Sequence, residues 1–281
     1  MATFTNQATL IYNGRATSSN VTTGELVDAL TFTKTAISDG YTDDGRVIYA
    51  LSIVNGGSAI TGATVVDNLG AYTVGAATVY PLAYVDGSVR LYINGAEATP
   101  PTVVPGPPLS FENVNVPEGG NAIILYEAET TEYAPLISGS QITNNATLTS
   151  GASTLDSEET VTVRDYVRLS IAKSICPATV TDNGTLTYTF IIQNTGNTPV
   201  VATDNLIVTD TFNPILNPIS VTYNGEPWTE GTQYTYDETT GDFATTEGSI
   251  TVPAATYVQD PVTGLYSSQP GVAVITITGT V

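Results

Sequence analysis

Lys34 and Lys173 are the only lysines in this chain of 281 residues. Both lie in short runs whose apolar residues alternate with small or hydroxyl-bearing ones, the pattern of a half-buried β-strand. Because successive side chains of a strand point to opposite faces, each lysine shares a face with apolar neighbours, which are Leu30, Phe32 and Ala36 for the first and Leu169, Ile171 and Ile175 for the second. A buried ammonium group is costly unless a carboxylate pairs with it or it loses its proton. The sequence therefore predicts an inward-pointing acidic partner for each lysine.

The predicted acidic partners are Asp67 and Asp210, which alternation places beside Val65 and Leu69 and beside Leu206, Val208 and Phe212 respectively. An asparagine on a further strand points inward by the same rule. Asn144 has Ile142, Ala146 and Leu148 on its face, and Asn6 has Phe4, Ala8 and Leu10. We predict one complete set, Lys34–Asp67–Asn144, and one incomplete set, Lys173–Asp210, which Asn6 of another copy would complete.

Two kinds of chemistry are open to such a set. The simpler is a buried lysine–aspartate ion pair, with the asparagine satisfying the remaining hydrogen bonds. The set also resembles that of Gram-positive adhesin domains in which a lysine and an asparagine form an isopeptide bond. That resemblance implies a neutral amine as the nucleophile and a protonated carboxyl group that polarises the amide.

The elements that would carry these residues form an internal repeat. Residues 4–10 (FTNQATL) recur as residues 142–148 (ITNNATL), an offset of 138 (142 − 4). The rest of the repeat aligns at an offset of 139 (173 − 34), through Lys34/Lys173, Gly45/Gly184, Tyr49/Tyr188, Asn55/Asn194 and Gly57/Gly196. In the first copy the segment at 142–148 follows the strand that ends at Tyr126, whereas in the second only residues 278–281 follow the matching Ile277. We therefore predict a second domain without its closing strand and a surplus strand at the N-terminus.

Composition favours an all-β fold. Apolar residues make up 41% of the chain, charged residues only 12%, and 25 glycines and 16 prolines punctuate it. β-Branched and aromatic runs separated by turn residues, without amphipathic helices, are typical of antiparallel β-sandwiches. The predicted domains are residues 1–24 (N-terminal donor strand and linker), 25–150 (first sandwich) and 151–281 (second sandwich).

The repeat also resembles a known family. Lys173, residues 182–197 (DNGTLTYTFIIQNTGN) and residues 206–212 (LIVTDTF) resemble the bacterial surface repeat called "domain of unknown function eleven", and the first copy resembles it more loosely through Asn55, Gly57 and Asp67. The resemblance covers nearly the whole chain. It implies immunoglobulin-like domains in tandem on bacterial envelopes or spore appendages, and it implies nothing about a specific activity.

Charge and residue usage exclude several classes of function. A net charge of −20 argues against nucleic acid and anionic membranes as partners. Without histidine the commonest general base and metal ligand are missing, so neither an enzyme nor a cofactor or metal site is expected. Asp39, Asp43 and Asp44 could hold calcium, since hard oxygen ligands cluster there, but we predict a solvated turn because the second copy has only Asp182 in that region. No apolar stretch is long enough to span a membrane. No classical signal peptide is visible. The expected localisation is nevertheless extracellular, on a cell or spore surface.

The main functional hypothesis is a structural subunit that forms a homopolymer. Residues 4–12 of one copy, with Phe4, Asn6, Ala8, Leu10 and Tyr12 on one face, would complete the second domain of the next by strand addition. Residues 13–24 would be a flexible linker. A separate tip or anchor protein is a possible further partner.

Two other hypotheses remain open. The N-terminal strand could fold back into its own second domain and give a closed monomer. Alternatively the chain could be a monomeric cell-surface adhesin or carbohydrate-binding module, with the tyrosine-rich second domain as its binding surface.

Overall fold

A computed structural model describes residues 2–26 and 30–281 of the chain, and these residues are built almost entirely from antiparallel strands. The all-β prediction is confirmed. The described residues contain one 3₁₀ turn, Ala202–Asp204, and no α-helix. Within the described ranges no helix is long and apolar enough to span a membrane.

The first sandwich, residues 30–163, packs two sheets face to face. One sheet has the order β12-β11-β15-β6-β5, with β10 also paired to β15; the other has the order β13-β14-β7-β16-β17. A hairpin, β8–β9, lies outside both sheets. The strands are β5 (Leu30–Ala36), β6 (Arg46–Asn55), β7 (Ile60–Asp67), β8 (Tyr72–Val74), β9 (Ala77–Val79), β10 (Leu82–Tyr84), β11 (Arg90–Ile93), β12 (Ala96–Ala98), β13 (Thr102–Val104), β14 (Leu109–Val116), β15 (Asn121–Thr130), β16 (Gln141–Ser150) and β17 (Ser153–Thr162).

The core of this sandwich follows from alternation along its central strands. Every second residue of β6 from Val47 to Ile53 is fully buried, and the inward residues of β15 and β16 meet them from both sheets. Tyr49 and Tyr126 stack with ring centroids 5.5 Å apart in the middle of this core. The buried polar residues Lys34, Asp67 and Asn144 lie within this apolar layer.

The second sandwich, residues 169–281, repeats the first sheet and only part of the second. Its sheets have the orders β18-β19-β27-β21-β22 and β20-β24-β23, with a separate hairpin β25–β26. The strands are β18 (Leu169–Cys176), β19 (Thr185–Asn194), β20 (Thr209–Thr211), β21 (Ile219–Tyr223), β22 (Glu226–Pro227), β23 (Tyr234–Tyr236), β24 (Asp242–Thr245), β25 (Thr256–Gln259), β26 (Tyr266–Gln269) and β27 (Gly271–Thr280).

Comparison of the two sandwiches shows where they differ. The order β18-β19-β27-β21-β22 matches β5-β6-β15-β11-β12, and β20-β24-β23 matches β7-β14-β13. In the first sandwich β7 continues to β16 and then β17. Within the described ranges, no strand pairs with the corresponding edge of β20.

The predicted boundary at residue 150 was misplaced. Gly151 lies in the turn between β16 and β17, which pair along their whole length from Gln141–Thr162 to Ser150–Ser153. Val161 and Val163 belong to the core of the first sandwich. The first sandwich therefore ends near residue 163, because β17 is needed to close its second sheet.

The predicted linker at residues 13–24 is instead part of a hairpin. Strand β1 (Ala2–Asn6) pairs with β4 (Thr22–Leu26), and β2 (Thr9–Tyr12) pairs with β3 (Arg15–Ser18). Asn13 and Gly14, both at positive φ, form the two-residue turn that such hairpins favour. The glycine and serine content that suggested a linker therefore belongs to a turn and a second strand.

Candidate functional site

The structure brings Lys34 and Asp67 together in the core of the first sandwich. Lys34 projects from β5 and Asp67 from the end of β7, so the pair joins the two sheets. The Nζ atom of Lys34 donates to the Oδ2 atom of Asp67, and neither side chain is exposed. The other carboxylate oxygen of Asp67 accepts the backbone N–H of Leu69 at 2.9 Å. Both oxygens of the buried carboxylate are therefore satisfied.

Tyr126 connects this pair to Asn144. Its hydroxyl donates to the Oδ2 atom of Asp67 at 2.5 Å and lies 3.2 Å from the Nζ atom of Lys34. The Nδ2 atom of Asn144 donates to the same hydroxyl at 3.3 Å, and its Oδ1 atom accepts the backbone N–H of Gly70 at 3.1 Å. Lys34, Asp67 and Asn144 therefore share one fully buried site. Tyr126 was not predicted as a member, since alternation marks it only as a core aromatic.

Burial dominates the electrostatics of the site. It lowers the pKa of Lys34 from 10.5 to about 8, although the nearby Asp67 carboxylate acts in the opposite direction. The Nζ atom also lies 4.6 Å from the centroid of the Tyr49 ring, whose face favours a cation. Burial, and then the Asp67 charge, raise the pKa of Tyr126 well above its ordinary value, so its hydroxyl keeps its proton. The site thus holds an ammonium group whose proton is unusually easy to remove.

Tyr49 supplies only its ring to the site. Its hydroxyl is buried and has no hydrogen-bond partner within the described structure. Burial, and then the Asp67 charge, raise the pKa of Tyr49, while the amide of Asn144 acts in the opposite direction without reaching hydrogen-bonding geometry with the hydroxyl.

The equivalent residues of the second sandwich form the same pair in a more open setting. The Nζ atom of Lys173 donates to the Oδ2 atom of Asp210, but 39% of the lysine side chain and 19% of the aspartate side chain are exposed. The ring of Tyr188 lies 4.5 Å from this Nζ atom, as the ring of Tyr49 does in the first site. The position of Tyr126 is taken by Ile277, which pairs with Tyr188 as Tyr126 pairs with Tyr49.

Asn6 lies away from this second pair within the described residues. It sits on β1 with an exposed side chain, and its backbone carbonyl accepts the hydroxyl of Thr22 at 3.2 Å. The structure of one copy therefore contains one complete set and one lysine–aspartate pair without an asparagine. Phe4, Ala8, Leu10 and Tyr12, which share the face of Asn6, are exposed as well.

The second pair lies in an open groove between β18 and the unpaired edge of β20. Within the described residues no strand pairs with that edge, and β18 is exposed over its full length. Ile171 is 56% exposed, whereas Phe32 at the same position of β5 is 7% exposed. In the first sandwich the corresponding space is filled by β16 and β17.

The other residues shared by the two copies have structural roles. The Oδ1 atom of Asn55 accepts the backbone N–H of Gly57, and its Nδ2 atom donates to the carbonyls of Ser58 and Pro117. Asn194 repeats these bonds with Gly196, Thr198 and Pro253. Each asparagine thus ties a strand end to a neighbouring loop.

The acidic turn is solvated as predicted, since 88% of the Asp39 side chain and 73% of the Asp44 side chain are exposed, and two arginines pair with it. Arg168 donates to Asp43 at 2.6 and 2.9 Å and to Asp44 at 3.2 Å, and Arg164 pairs with Asp39 at 2.6 Å. These bonds link the first sandwich to the start of the second. The described residues contain no cluster of three or more acidic or cysteine ligands suited to a metal ion.

Comparisons with known proteins identify no family. No family model and no curated protein matches the chain. Solved structures similar to it include BspA_C_WT, with a TM-score of 0.35, 13% identity and coverage of 89% of this chain and 91% of that chain.

Two further solved structures are similar at the same level. The pilus backbone RrgB of Streptococcus pneumoniae gives a TM-score of 0.35 at 11% identity, covering 86% of this chain and 55% of that one. The collagen-binding subdomain of the Enterococcus faecalis surface protein ACE gives 0.33 at 10% identity, covering 50% and 99%. The function of this chain therefore has to be inferred from its own residues.

Proposed function

We propose that this chain is the structural subunit of an extracellular filament that polymerises head to tail. Residues 4–12 of one copy would enter the groove of the second sandwich of the next copy and pair with the free edge of β20. The contact joins two different surfaces, so it repeats along an open fibre instead of closing into a dimer. The proposal also places the filament on a bacterial cell or spore surface, which the resemblance of residues 182–197 and 206–212 to a bacterial surface repeat supports.

One observation carries the proposal: the unpaired edge of β20 corresponds to the edge of β7 that β16 covers in the first sandwich. An unpaired edge beside an apolar groove readily accepts an extended segment. The sequence of β16 that covers β7 recurs at residues 4–10, where Ala8 and Leu10 stand for the buried Ala146 and Leu148.

The incoming strand would also complete the polar set. In the first sandwich Asn144 lies four residues before Leu148, and Asn6 lies four residues before Leu10. A segment bound in the register of β16 therefore brings Asn6 towards Lys173 and Asp210. Covering the groove would exclude water from this pair, which strengthens its attraction and adds to the cost of separating the copies.

Two forms of the completed joint are open. In the first, Lys173 and Asp210 stay an ion pair and Asn6 hydrogen-bonds to them. In the second, the neutral Lys173 amine attacks the Cγ atom of Asn6, an amide bond forms, and the Asn6 nitrogen leaves as ammonia with the proton that the amine gives up. The same alternatives apply to Lys34 and Asn144 inside each copy.

Assembly can be tested with two matched substitutions on adjacent residues. Leu10 and Ile11 are similarly exposed in the single copy, at 65% and 70%, but Leu10 corresponds to the buried Leu148 and Ile11 to the exposed Thr149. We expect the wild-type protein and Ile11→Asp to form filaments in negative-stain micrographs. We expect Leu10→Asp to stay monomeric in size-exclusion chromatography, because it would bury a carboxylate.

Two results would count against the proposal. If the wild-type protein stays monomeric at high concentration, the closed monomer or a monomeric adhesin is the better explanation. If Leu10→Asp polymerises as well as Ile11→Asp, the face of the strand that carries Asn6 is not buried in the joint.

The form of the joint is tested by intact mass and denaturing electrophoresis. Each amide bond would remove about 17 Da as ammonia and leave a ladder of polymers that survives boiling. The Asn6→Ala variant would then lose the ladder while its mass still reports the Lys34–Asn144 bond. Monomer at the formula mass in both samples would leave only the ion-pair form.

A further inference from the structure

We infer that the donated element is the whole hairpin of residues 2–26, and that its second strand covers β18 of the next copy. This inference rests on the proposed function and adds to it a second contact surface. The single-strand version of the joint needs only residues 4–12 and leaves β18 open.

The first observation is that the N-terminal hairpin has the register of the β16–β17 hairpin. Leu148 pairs with Leu155 across the latter, and Leu10 pairs with Thr17 across the former. Subtracting 138 from each residue number of the first pair gives the second pair (148 − 138 = 10; 155 − 138 = 17). The turns coincide too, since Ser150–Ser153 becomes Tyr12–Arg15. The repeat therefore extends beyond residues 4–10 into the second strand.

The second observation concerns the far end of the hairpin. The register shifts by one residue between β3 and β4, and Phe4 then pairs with Gly24. The equivalent pair in the first sandwich is Ile142 with Val161, both buried. A large residue opposite glycine thus replaces two residues of medium size, so the combined side-chain volume of the two paired residues is about the same.

The third observation shows what a second strand does in the first sandwich. β17 lies beside β5, and the hydroxyl of Ser157 accepts the backbone N–H of Lys34 at 2.9 Å. In the second sandwich β18 pairs with β19 on one side only, and its residues are exposed from Leu169 to Cys176. The first sandwich thus contains two strands, β16 and β17, that cover β7 and β5. Within the described residues the equivalent strands of the second sandwich, β20 and β18, have no such cover.

Ser19 is the residue that would contact β18. It corresponds to Ser157 at the same offset (157 − 138 = 19), and its backbone N–H donates to the carbonyl of Ala8 at 2.9 Å, which fixes its place in the hairpin. Its hydroxyl accepts the N–H of Ala8 at 3.0 Å in the single copy. A hydroxyl oxygen has two lone pairs, so it can also accept the backbone N–H of Lys173 from the next copy.

Amide hydrogen exchange resolved by residue separates the two-stranded joint from the single-stranded one. The experiment compares the full chain as filament and as the Leu10→Asp monomer. In the filament we expect slower exchange of the amides of Thr209–Thr211, because the first strand of the donated hairpin would cover them. We also expect slower exchange of the Lys173 amide, because the second strand of the hairpin would cover it. The Lys34 amide, already bonded to Ser157, serves as an internal reference that should not change.

Two substitutions in the second strand make the test specific. Removing the acceptor with Ser19→Ala should speed exchange at the Lys173 amide in the filament roughly fivefold, the effect of one hydrogen bond, and leave Thr209–Thr211 protected. Ser18→Ala changes a neighbouring exposed hydroxyl and should alter neither site.

Each outcome decides the inference. Protection of both β20 and Lys173, with the Ser19→Ala effect, supports the hairpin. A filament in which β20 is protected while β18 exchanges as in the monomer overturns the hairpin and keeps the proposed function. Absence of any filament from the wild-type chain overturns both.

Discussion

Tyr126 and Ile277 occupy the same place in the two sandwiches, opposite Tyr49 and Tyr188 respectively. The hydroxyl of Tyr126 binds the carboxylate of Asp67 and receives the amide of Asn144, so the first site is a closed polar network. Ile277 offers no such group to Lys173 and Asp210. The two sites therefore share a lysine and an aspartate but differ in the group that would hold an asparagine.

The Tyr126 hydroxyl should be important for stability, and the Tyr49 hydroxyl should not. Tyr126→Phe removes a bond to a buried carboxylate and leaves the Asn144 amide without an acceptor, so we expect the free energy of unfolding to fall by about 1–3 kcal/mol. Tyr49→Phe removes a buried hydroxyl that has no partner and should change it by less than about 0.5 kcal/mol or raise it. Urea unfolding of both variants measures the difference. Equal losses would contradict the hydrogen-bond network around the Tyr126 hydroxyl.

The contrast between these tyrosines shows which parts of the buried site could be predicted from the sequence. Alternation put Lys34, Asp67 and Asn144 on inward faces, and the structure places all three in one buried site. Alternation gives the face of a residue but not which strands become neighbours. Tyr126 reads as one more core aromatic, because its role depends on the pairing of β15 with β6.

The second strand of each hairpin was missed for a related reason. Leu155, Ser157 and Glu159 of β17 point inward at a sheet edge and are only half-buried, so polar residues are tolerated there and the apolar alternation is weak. The same holds for residues 15–26, whose serine, threonine and glycine content suggested a linker. In both cases the feature of the sequence that indicates a hairpin is its turn residues, Gly151 and Asn13–Gly14.

Removing the charge of Asp67 should destabilise the first sandwich strongly. Asp67→Asn leaves the Lys34 ammonium without a charged partner in the core, and losing one member of a buried pair costs about 3–5 kcal/mol. The matched control is Glu127→Gln, which breaks the pair between Glu127 and Arg46 at 2.8 Å. Both of those side chains are partly exposed, so its effect should stay below about 1 kcal/mol. A similar loss in the two variants, measured by thermal unfolding, would show that the Lys34–Asp67 pair is solvated.

The pH dependence of the free energy of unfolding should also show whether Lys34 is a free amine or is bonded to Asn144 as an amide. Burial lowers the pKa of Lys34 from 10.5 to about 8, so between these values the unfolded chain holds a proton that the folded chain has released. Unfolding then takes up a proton, and the free energy of unfolding should rise with pH by up to ~1.4 kcal/mol per unit from this group. Above about pH 10 the tyrosines act oppositely, because burial raises the pKa of Tyr126 and unfolding releases its proton.

The control for this dependence is the double variant Lys34→Met/Asp67→Asn, which removes both charges. Urea unfolding of the two proteins from about pH 8 to 9.5 should show the steeper rise in the wild type only. If Lys34 is bonded to Asn144 as an amide it no longer titrates, and the two slopes should be equal. Equal slopes together with the formula mass would mean that the Lys34 pKa is not lowered by burial.

The pairing of Phe4 with Gly24 gives a test of the hairpin that does not depend on a single hydrogen bond. A Cβ atom at Gly24 would lie 2.5 Å from the Cζ atom of Phe4, so Gly24→Val forces the phenyl ring to move. The ring is 57% exposed in the single copy and can move there at little cost, whereas a docked ring would be confined. We expect Gly24→Val to leave the thermal stability of the monomer nearly unchanged and to slow filament growth at least tenfold, which corresponds to about 1.4 kcal/mol. The double variant Phe4→Ile/Gly24→Val recreates the Ile142–Val161 pair and should restore growth. If the double variant assembles no better than Gly24→Val alone, residues 2–26 do not dock in the way that β16 and β17 pack in the first sandwich.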